Sequence, residues 1–439
     1  MTHEKIEKQF WRYVLPSMLT MLLSGFYAIV DGYFVGNALK DAGLAAINIG
    51  WPIASFILAV STGIGVGGSV LISTYRGAED ENASRQAKGN TLMLLCLFAI
   101  LSITLIFIST PWLLRLFGAK GEVYDLAYEY LFVIVLGSSL QIFGTGCTPI
   151  LRNSNRSIQA MLIMLFSLFT NIVLDAVLVP TMGMSGAALA TVAAQGFSAL
   201  FCLLLIFTDK KNPLKRSDFV LNKRMCKNII RIGVSPFGLT FSPSIVIIFA
   251  NWQCLNYGGE IAVAAYSALS YVLQATMELL HGIGEGVQPL ISYCNGAGRH
   301  DLVRSLLRRA RRLVMLLGIL FGVLIVAFDS LIPVIFGASS EAGVMIESAC
   351  LISSVAFFFA GLVKCYSSYF YAIRETRAST LLIYGDPLLL TPLLMLILPV
   401  FFDINGIWAV LPLTQIILCA AALLIDIKKE KELKLEGKA

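Results

Sequence analysis

Two stretches of this chain match one another at a fixed offset, and both lie in strongly apolar sequence. Ala45-Ala46, Gly63-Ile64-Gly65, Gly67, Leu71-Ile72-Ser73, Gly77 and Arg85 return as Ala264-Ala265, Gly282-Ile283-Gly284, Gly286, Leu290-Ile291-Ser292, Gly296 and Arg304, every pair 219 positions apart. The same offset carries Phe117-Gly118-Ala119 onto Phe336-Gly337-Ala338. A chain that repeats itself over half its length folds as two copies of one unit. When the copies are membrane-embedded, the seam between them is the expected place for a binding cavity.

The apolar character is quantitative. Of 439 residues 57% are hydrophobic and only 14% charged, against about 25% charged in a soluble domain. The mean hydropathy is +0.79. Runs long enough to cross roughly 30 Å of hydrocarbon recur from end to end, which predicts an integral membrane protein. The net charge of +6 does not indicate nucleic acid, because the basic residues sit in short loops between apolar runs. Nine cysteines are scattered singly without a CxxC pair, so small buried side chains are expected rather than a disulfide framework or metal site. Met1 to Gln9 is polar and lacks the apolar core and cleavage site of a signal peptide, so the first helix is expected to be retained.

About twelve spans are predicted, near 12–35, 46–75, 88–110, 123–149, 158–180, 185–207, 228–256, 261–292, 310–329, 343–370, 379–402 and 406–427. The expected organisation is a six-helix half over 1–207, a linker over 208–227 containing Asp209-Lys210-Lys211-Asn212-Pro213, and a second six-helix half over 228–439 with a short basic tail. Arg76, Arg85, Lys88, Arg152, Arg156, Lys210 to Lys227, Arg299 to Arg312, Arg374 and Arg377 fall on one side of this pattern; only Lys40, Arg115 and Lys120 fall on the other. The positive-inside rule therefore predicts cytoplasmic termini. Six spans per half make the two copies parallel, and the expected fold class is an all-α membrane protein in two six-helix lobes.

A charge at the bilayer centre costs at least ~2.5–3.5 kcal/mol, so each one wants a reason. The candidates are Asp31 in span 1, Asp175 in span 5, Glu278, His281 and Glu285 in span 8, Lys364 in span 10 and Asp386 in span 11. Asn171 and Asp175 are four apart and share a helix face, able to present an amide and a carboxylate to one cation or proton. If Asp31 faces them, burial and like charge favour a protonated carboxyl and bring proton uptake within reach of neutral pH. The alternative places Asp31 and Asp175 near span ends, solvated. Gln274, Glu278, His281 and Glu285 follow a four, three, four spacing, one stripe down span 8. Their first-half counterparts are Ser55, Ala59, Thr62 and Val66, so this charge belongs to the second half alone. It suits a substrate cavity or charge relay; the alternative is that Glu278 or Glu285 neutralises Lys364.

Pro16 lies in the helix that also carries Asp31 and is the expected hinge. There is no Walker GxxxxGK[ST], no HExxH and no paired-Cys site, so no ATP hydrolysis and no enzyme chemistry is expected. The Gly63-Ile64-Gly65-Val66-Gly67-Gly68 run has no βαβ context and reads as close helix packing.

These residues resemble the multidrug and toxic compound extrusion (MATE) family over essentially the whole chain. The matches are Pro16, Val30-Asp31 and Phe34-Val35-Gly36 in helix 1, Gly43-Leu44-Ala45-Ala46, Arg152-Asn153, and Asn171 with Asp175 in helix 5. The resemblance implies an exporter of cationic amphipathic compounds working by antiport with H+ or Na+. It makes Asp31, Asn171 and Asp175 the coupling site, with Na+ as the only metal in view, and Pro16 a bending proline. Asp31, Asn171, Asp175 and Pro16 resemble the DinF-like branch and the acids of helix 8 resemble a MepA-like member, whereas helix 7 has no acid and helix 10 offers Lys364, unlike the NorM-like branch. The expected partners are small cationic drug-like substrates and membrane lipids, with no nucleic acid and no cofactor beyond the coupling ion. The expected setting is the cell membrane, as a monomer. A lipid-linked oligosaccharide flippase of the same superfamily is the runner-up; it would favour basic residues in its cavity, where acids outnumber Lys364. A major-facilitator porter ranks third, since Tyr75-Arg76-Gly77-Ala78-Glu79-Asp80 does not fit its loop signature.

Overall fold

Long helices joined by single reversing residues organise the fold. In the computed structural model, which describes residues 3–210, 212–336 and 339–435, the described residues contain helices and no strand. His3–Gly77 is 75 residues of continuous helical hydrogen bonding interrupted only at Lys40 (φ 54, ψ −144). Straight, it would be about 110 Å long, several bilayer cores. Gly183 (φ 59, ψ −131) interrupts Ser157–Phe207, Gly259 (φ 64, ψ −159) interrupts Lys223–Gly296, and Asp403 (φ 49, ψ −136) interrupts Thr391–Leu435. A positive φ in mid-helix redirects the chain, so each of these segments is two crossings.

Among the described residues twelve long helices result, besides the short helices Arg216–Phe219 and Leu331–Phe336. They are α1 (Lys8–Lys40), α2 (Ala42–Gly77), α3 (Glu81–Leu116), α4 (Gly121–Leu136 and Ser138–Asn153, bent by 60°), α5 (157–182) and α6 (184–207). The second set is α7 (Lys223–Gly259), α8 (261–296), α9 (His300–Ala327), α10 (Ser340–Ser353 and Ala356–Ala372, bent by 53°), α11 (376–402) and α12 (404–435). Length and apolar composition single out most of these as membrane crossings. The segment α8 stands apart because Gln274, Glu278, His281 and Glu285 dilute it. The chain is a multi-pass, all-α membrane protein.

The repeat is written in the backbone as well as in the residues. Lys40 and Gly259, Glu79 (φ 60) and Gly298 (φ 69), and Asn155 (φ 62) and Arg374 (φ 68) are all positive-φ pairs 219 positions apart. Gly183 and Asp403 fall one residue off that register. Equivalent side chains make equivalent contacts. Ser73 Oγ lies 3.4 Å from the carbonyl of Asn153, and Ser292 Oγ donates to the carbonyl of Ala372 at 3.1 Å.

The chain divides into two compact units, Leu23–Phe241 and Met1–Leu22 with Ser242–Ala439. The crossing points, after Leu22 in α1 and after Phe241 in α7, are themselves 219 apart. Within the first unit the start of α7 lies on α2: a Cβ on Gly67 would meet Gly233 N at 2.9 Å. Within the other the start of α1 lies on α8: a Cβ on Gly286 would meet Val14 Cα at 2.6 Å. Glycine is needed at both positions because the neighbouring backbone occupies the space of a side chain.

The polar segment after α6 is strapped to its unit. Lys88 pairs with Asp209 at 3.4 Å, and Asn212 donates to Glu81 at 2.8 Å. The Asn90 amide donates to the carbonyls of Asp218 (3.3 Å) and Val220 (3.1 Å) and accepts from the Asn222 N–H at 2.7 Å.

Candidate ion and substrate sites

Three helices of the unit Leu23–Phe241 bring the first site together. Asn171 and Asp175 stand one turn apart on α5, and both are fully buried. Asp31, half-buried on α1, faces both of them. Thr191 on α6 donates to Asp31 Oδ2 at 3.1 Å. The remaining oxygen of Asp31, both oxygens of Asp175 and both amide atoms of Asn171 are buried without a hydrogen-bond partner of ordinary geometry. Tyr27 and Tyr130, both buried, lie within electrostatic range of the two carboxylates.

Buried carboxylates with open lone pairs are costly, and two facing carboxylates repel. The arrangement is relieved by a proton shared between them or by a small hard cation held on oxygen ligands, since carboxylate, amide and hydroxyl oxygens suit such ions. Spacing reveals Asn171 and Asp175. Thr191 was not legible in the sequence, because nothing local marks a threonine in α6 as the partner of an acid 160 positions away. Tyr27 carries a local signal in the sequence, since it precedes Asp31 by one helical turn.

The second cluster lies in the other unit. On α8, His281 stands between two acids, with Nδ1 3.7 Å from Glu278 Oε2 and Nε2 3.7 Å from Glu285 Oε1. Side-chain exposure falls along this row, 27% at Glu278, 11% at His281 and 4% at Glu285. The inner end is tied to α10, where the Tyr371 hydroxyl donates to Glu285 and lies 3.2 Å from the Ser368 hydroxyl. Gly284 permits this approach, since a Cβ there would meet Ser368 Oγ at 2.6 Å. Lys364, also on α10, acts electrostatically on Glu278, His281 and Asp386. Gln274 is exposed, one turn beyond Glu278.

Asp386 sits on α11 where five residues, Asp386–Leu390, widen into a π turn. Its carboxylate accepts from Thr391 Oγ1 at 2.6 Å and from Gln415 Nε2 at 2.8 Å. Both oxygens are engaged, unlike those of Asp175. Pro16 is buried in α1 with helical angles around it; the Thr20 hydroxyl donates to its carbonyl at 2.7 Å.

Ionisable groups held inside spanning helices serve the passage of charge, and a helical bundle duplicated in this way is the architecture of a membrane transporter rather than an enzyme. The chain belongs to the MatE family, whose model matches residues 16–177 and 238–389. It is similar to the multidrug export protein MepA of Staphylococcus aureus (strain N315), 25% identical over 445 residues that cover 97% of this chain and 94% of that protein. The protein of the same name from Staphylococcus saprophyticus is 23% identical over 438 residues, with the same coverage. Among solved structures, a multidrug resistance MATE family transporter of the MOP superfamily in its outward-facing conformation superposes with a TM-score of 0.92 at 23% identity, covering 98% of this chain and 97% of that one. A MOP superfamily transporter from Pyrococcus furiosus Vc1 gives a TM-score of 0.92 at 24% identity, with the same coverage.

Proposed function

We propose that this protein is a secondary active multidrug exporter that moves cationic amphipathic compounds outward in exchange for H+ or Na+. The observation that carries the reading is the Asp31–Asn171–Asp175 set, whose buried oxygens are left open for a small cation. The export of drugs by the MepA relatives supports the substrate class. To drive export the coupled ion must bind one state of the transporter more tightly than the other; equal affinity would shift nothing. Pro16, in the helix that carries Asp31, is the proposed hinge. Glu278 and Glu285 supply negative charge for the cationic substrate, with His281 between them as the relay and Gln274 at the exposed end of the row.

The distribution of Lys and Arg supports cytoplasmic termini, and we read the chain as a monomer of the cell membrane among lipids. The flippase reading rests on Lys364 alone and ranks second. Ethidium efflux from vesicles, with proton and sodium gradients collapsed separately, tests the proposal on wild type and Asp175→Asn. Efflux that survives the loss of both gradients, or that Asp175→Asn leaves intact, would overturn it.

A further inference from the structure

One face of α9 joins two arginines to an apolar groove. Arg308, Arg312, Ile319, Val323 and Val326 recur at intervals of three, four and seven residues, so all lie on one side of the helix. The neighbouring arginines turn toward protein: Arg304 pairs with Asp426 at 2.6 Å, and Arg311 donates to the Tyr366 hydroxyl at 3.1 Å. Arg308 and Arg312 are exposed instead, and below them Leu316, Ile319 and Val323 are exposed apolar side chains.

Farther along this face α9 presses against α10. A Cβ on Gly318 would meet Phe358 Cα at 2.9 Å, and one on Gly322 would meet the Ser354 carbonyl oxygen at 2.8 Å. α10 bends by 53° beside that contact. Together the bend and the two glycines leave an apolar groove of about 550 Å³, walled by Ile319, Val323, Val326, Val355, Phe358 and Phe359. From Arg312 the groove residues Ile319 to Val326 are seven to fourteen positions away, about 10–21 Å along the helix. That depth brackets the middle of a hydrocarbon core roughly 30 Å thick.

We infer that this face of α9 and α10 binds one anionic glycerophospholipid, its phosphate on Arg308 and Arg312 and an acyl chain in the groove. Charge and shape agree on the occupant. Exposed arginines at the edge of a spanning helix attract anionic headgroups, and Arg holds a phosphate through paired N–H donors. A drug-like cation would be repelled by the same pair, and a groove open to lipid along its length suits a chain rather than a compact ligand.

The test is native mass spectrometry of the full-length protein, delipidated and titrated with phosphatidylglycerol or phosphatidylcholine of identical acyl chains. It reads lipid retention and not transport, so it is separate from the exporter reading. Wild type should retain phosphatidylglycerol in preference to phosphatidylcholine. The double variant R308Q/R312Q should lose roughly twenty-five-fold in phosphatidylglycerol affinity, about fivefold for each basic residue, and bind both lipids alike. Val323→Trp, which fills the groove without touching the arginines, should weaken both lipids. Equal retention of the two lipids by wild type would overturn the proposal, as would unchanged selectivity in R308Q/R312Q. Unchanged binding in Val323→Trp would overturn the acyl-chain part.

Discussion

Thr191 holds Asp31 with a hydrogen bond of 3.1 Å, while the Asp175 carboxylate facing them has no partner of ordinary geometry for either oxygen. One acid is anchored and the other is open. The open one is therefore the member with most capacity to take up an ion, and its removal should be the more damaging.

Asp175→Asn should reduce gradient-driven efflux by about tenfold or more, within the 5–150-fold span of typical coupling energies. Asp31→Asn should act in the same direction, and Asn171→Ala should be milder because it removes a neutral ligand. Vesicle efflux under an imposed proton or sodium gradient, with expression checked by immunoblot, measures all three. Full activity in Asp175→Asn would remove the coupling site.

Thr191→Val keeps the shape of the side chain and deletes the donor. Leaving a buried carboxylate oxygen without its hydrogen bond costs about 1–3 kcal/mol. The half-saturating concentration of the coupling ion should move while maximal efflux changes little, and Thr191→Ser should restore the wild-type value. An ion titration of efflux reads this directly.

His281 makes the second cluster responsive to pH. Its neutral ring adds no positive charge to the row, whereas its protonated ring adds one 3.7 Å from each of Glu278 and Glu285. A cationic substrate should therefore bind more weakly as pH falls, and His281→Gln should flatten that dependence. Tyr371→Phe, which removes the donor to Glu285, should alter substrate KM more than ion dependence. Fluorescence binding of ethidium across a pH series checks both.

Lys40 and Gly259 adopt the same positive-φ conformation at equivalent places in the repeat, but only Gly259 does so without a steric penalty. Lys40→Gly should leave thermal stability unchanged or raise it. Gly259→Val should lower it by about 1–3 kcal/mol, read as a drop in Tm in detergent.

Gly286 leaves α1 room to lie on α8. In Gly286→Ala the added methyl would meet Val14 Cα at 2.6 Å, and an overpacked contact costs typically about 1–3 kcal/mol. Gly32→Ala is the control: nothing lies within 4 Å of its Cβ, and alanine is favoured over glycine in a helix. Opposite signs of the Tm change are expected.

Much of this molecule was legible in one dimension. Apolar runs set the crossings because hydrocarbon admits helices and excludes unpaired backbone. The 219-residue offset predicted two copies, and the backbone repeats with the residues down to the positive φ of Glu79 and Gly298. The intramembrane acids stood out because their cost is local to each residue. The tertiary structure alone decided their company. Thr191 reaches Asp31 across 160 positions and Tyr371 reaches Glu285 across 86, distances that no helical period encodes. It also decided that the first 22 residues group with Ser242–Ala439 and that the start of α7 groups with Leu23–Phe241. Helical periodicity reports which face of a segment is apolar; which neighbour covers that face depends on packing the whole chain.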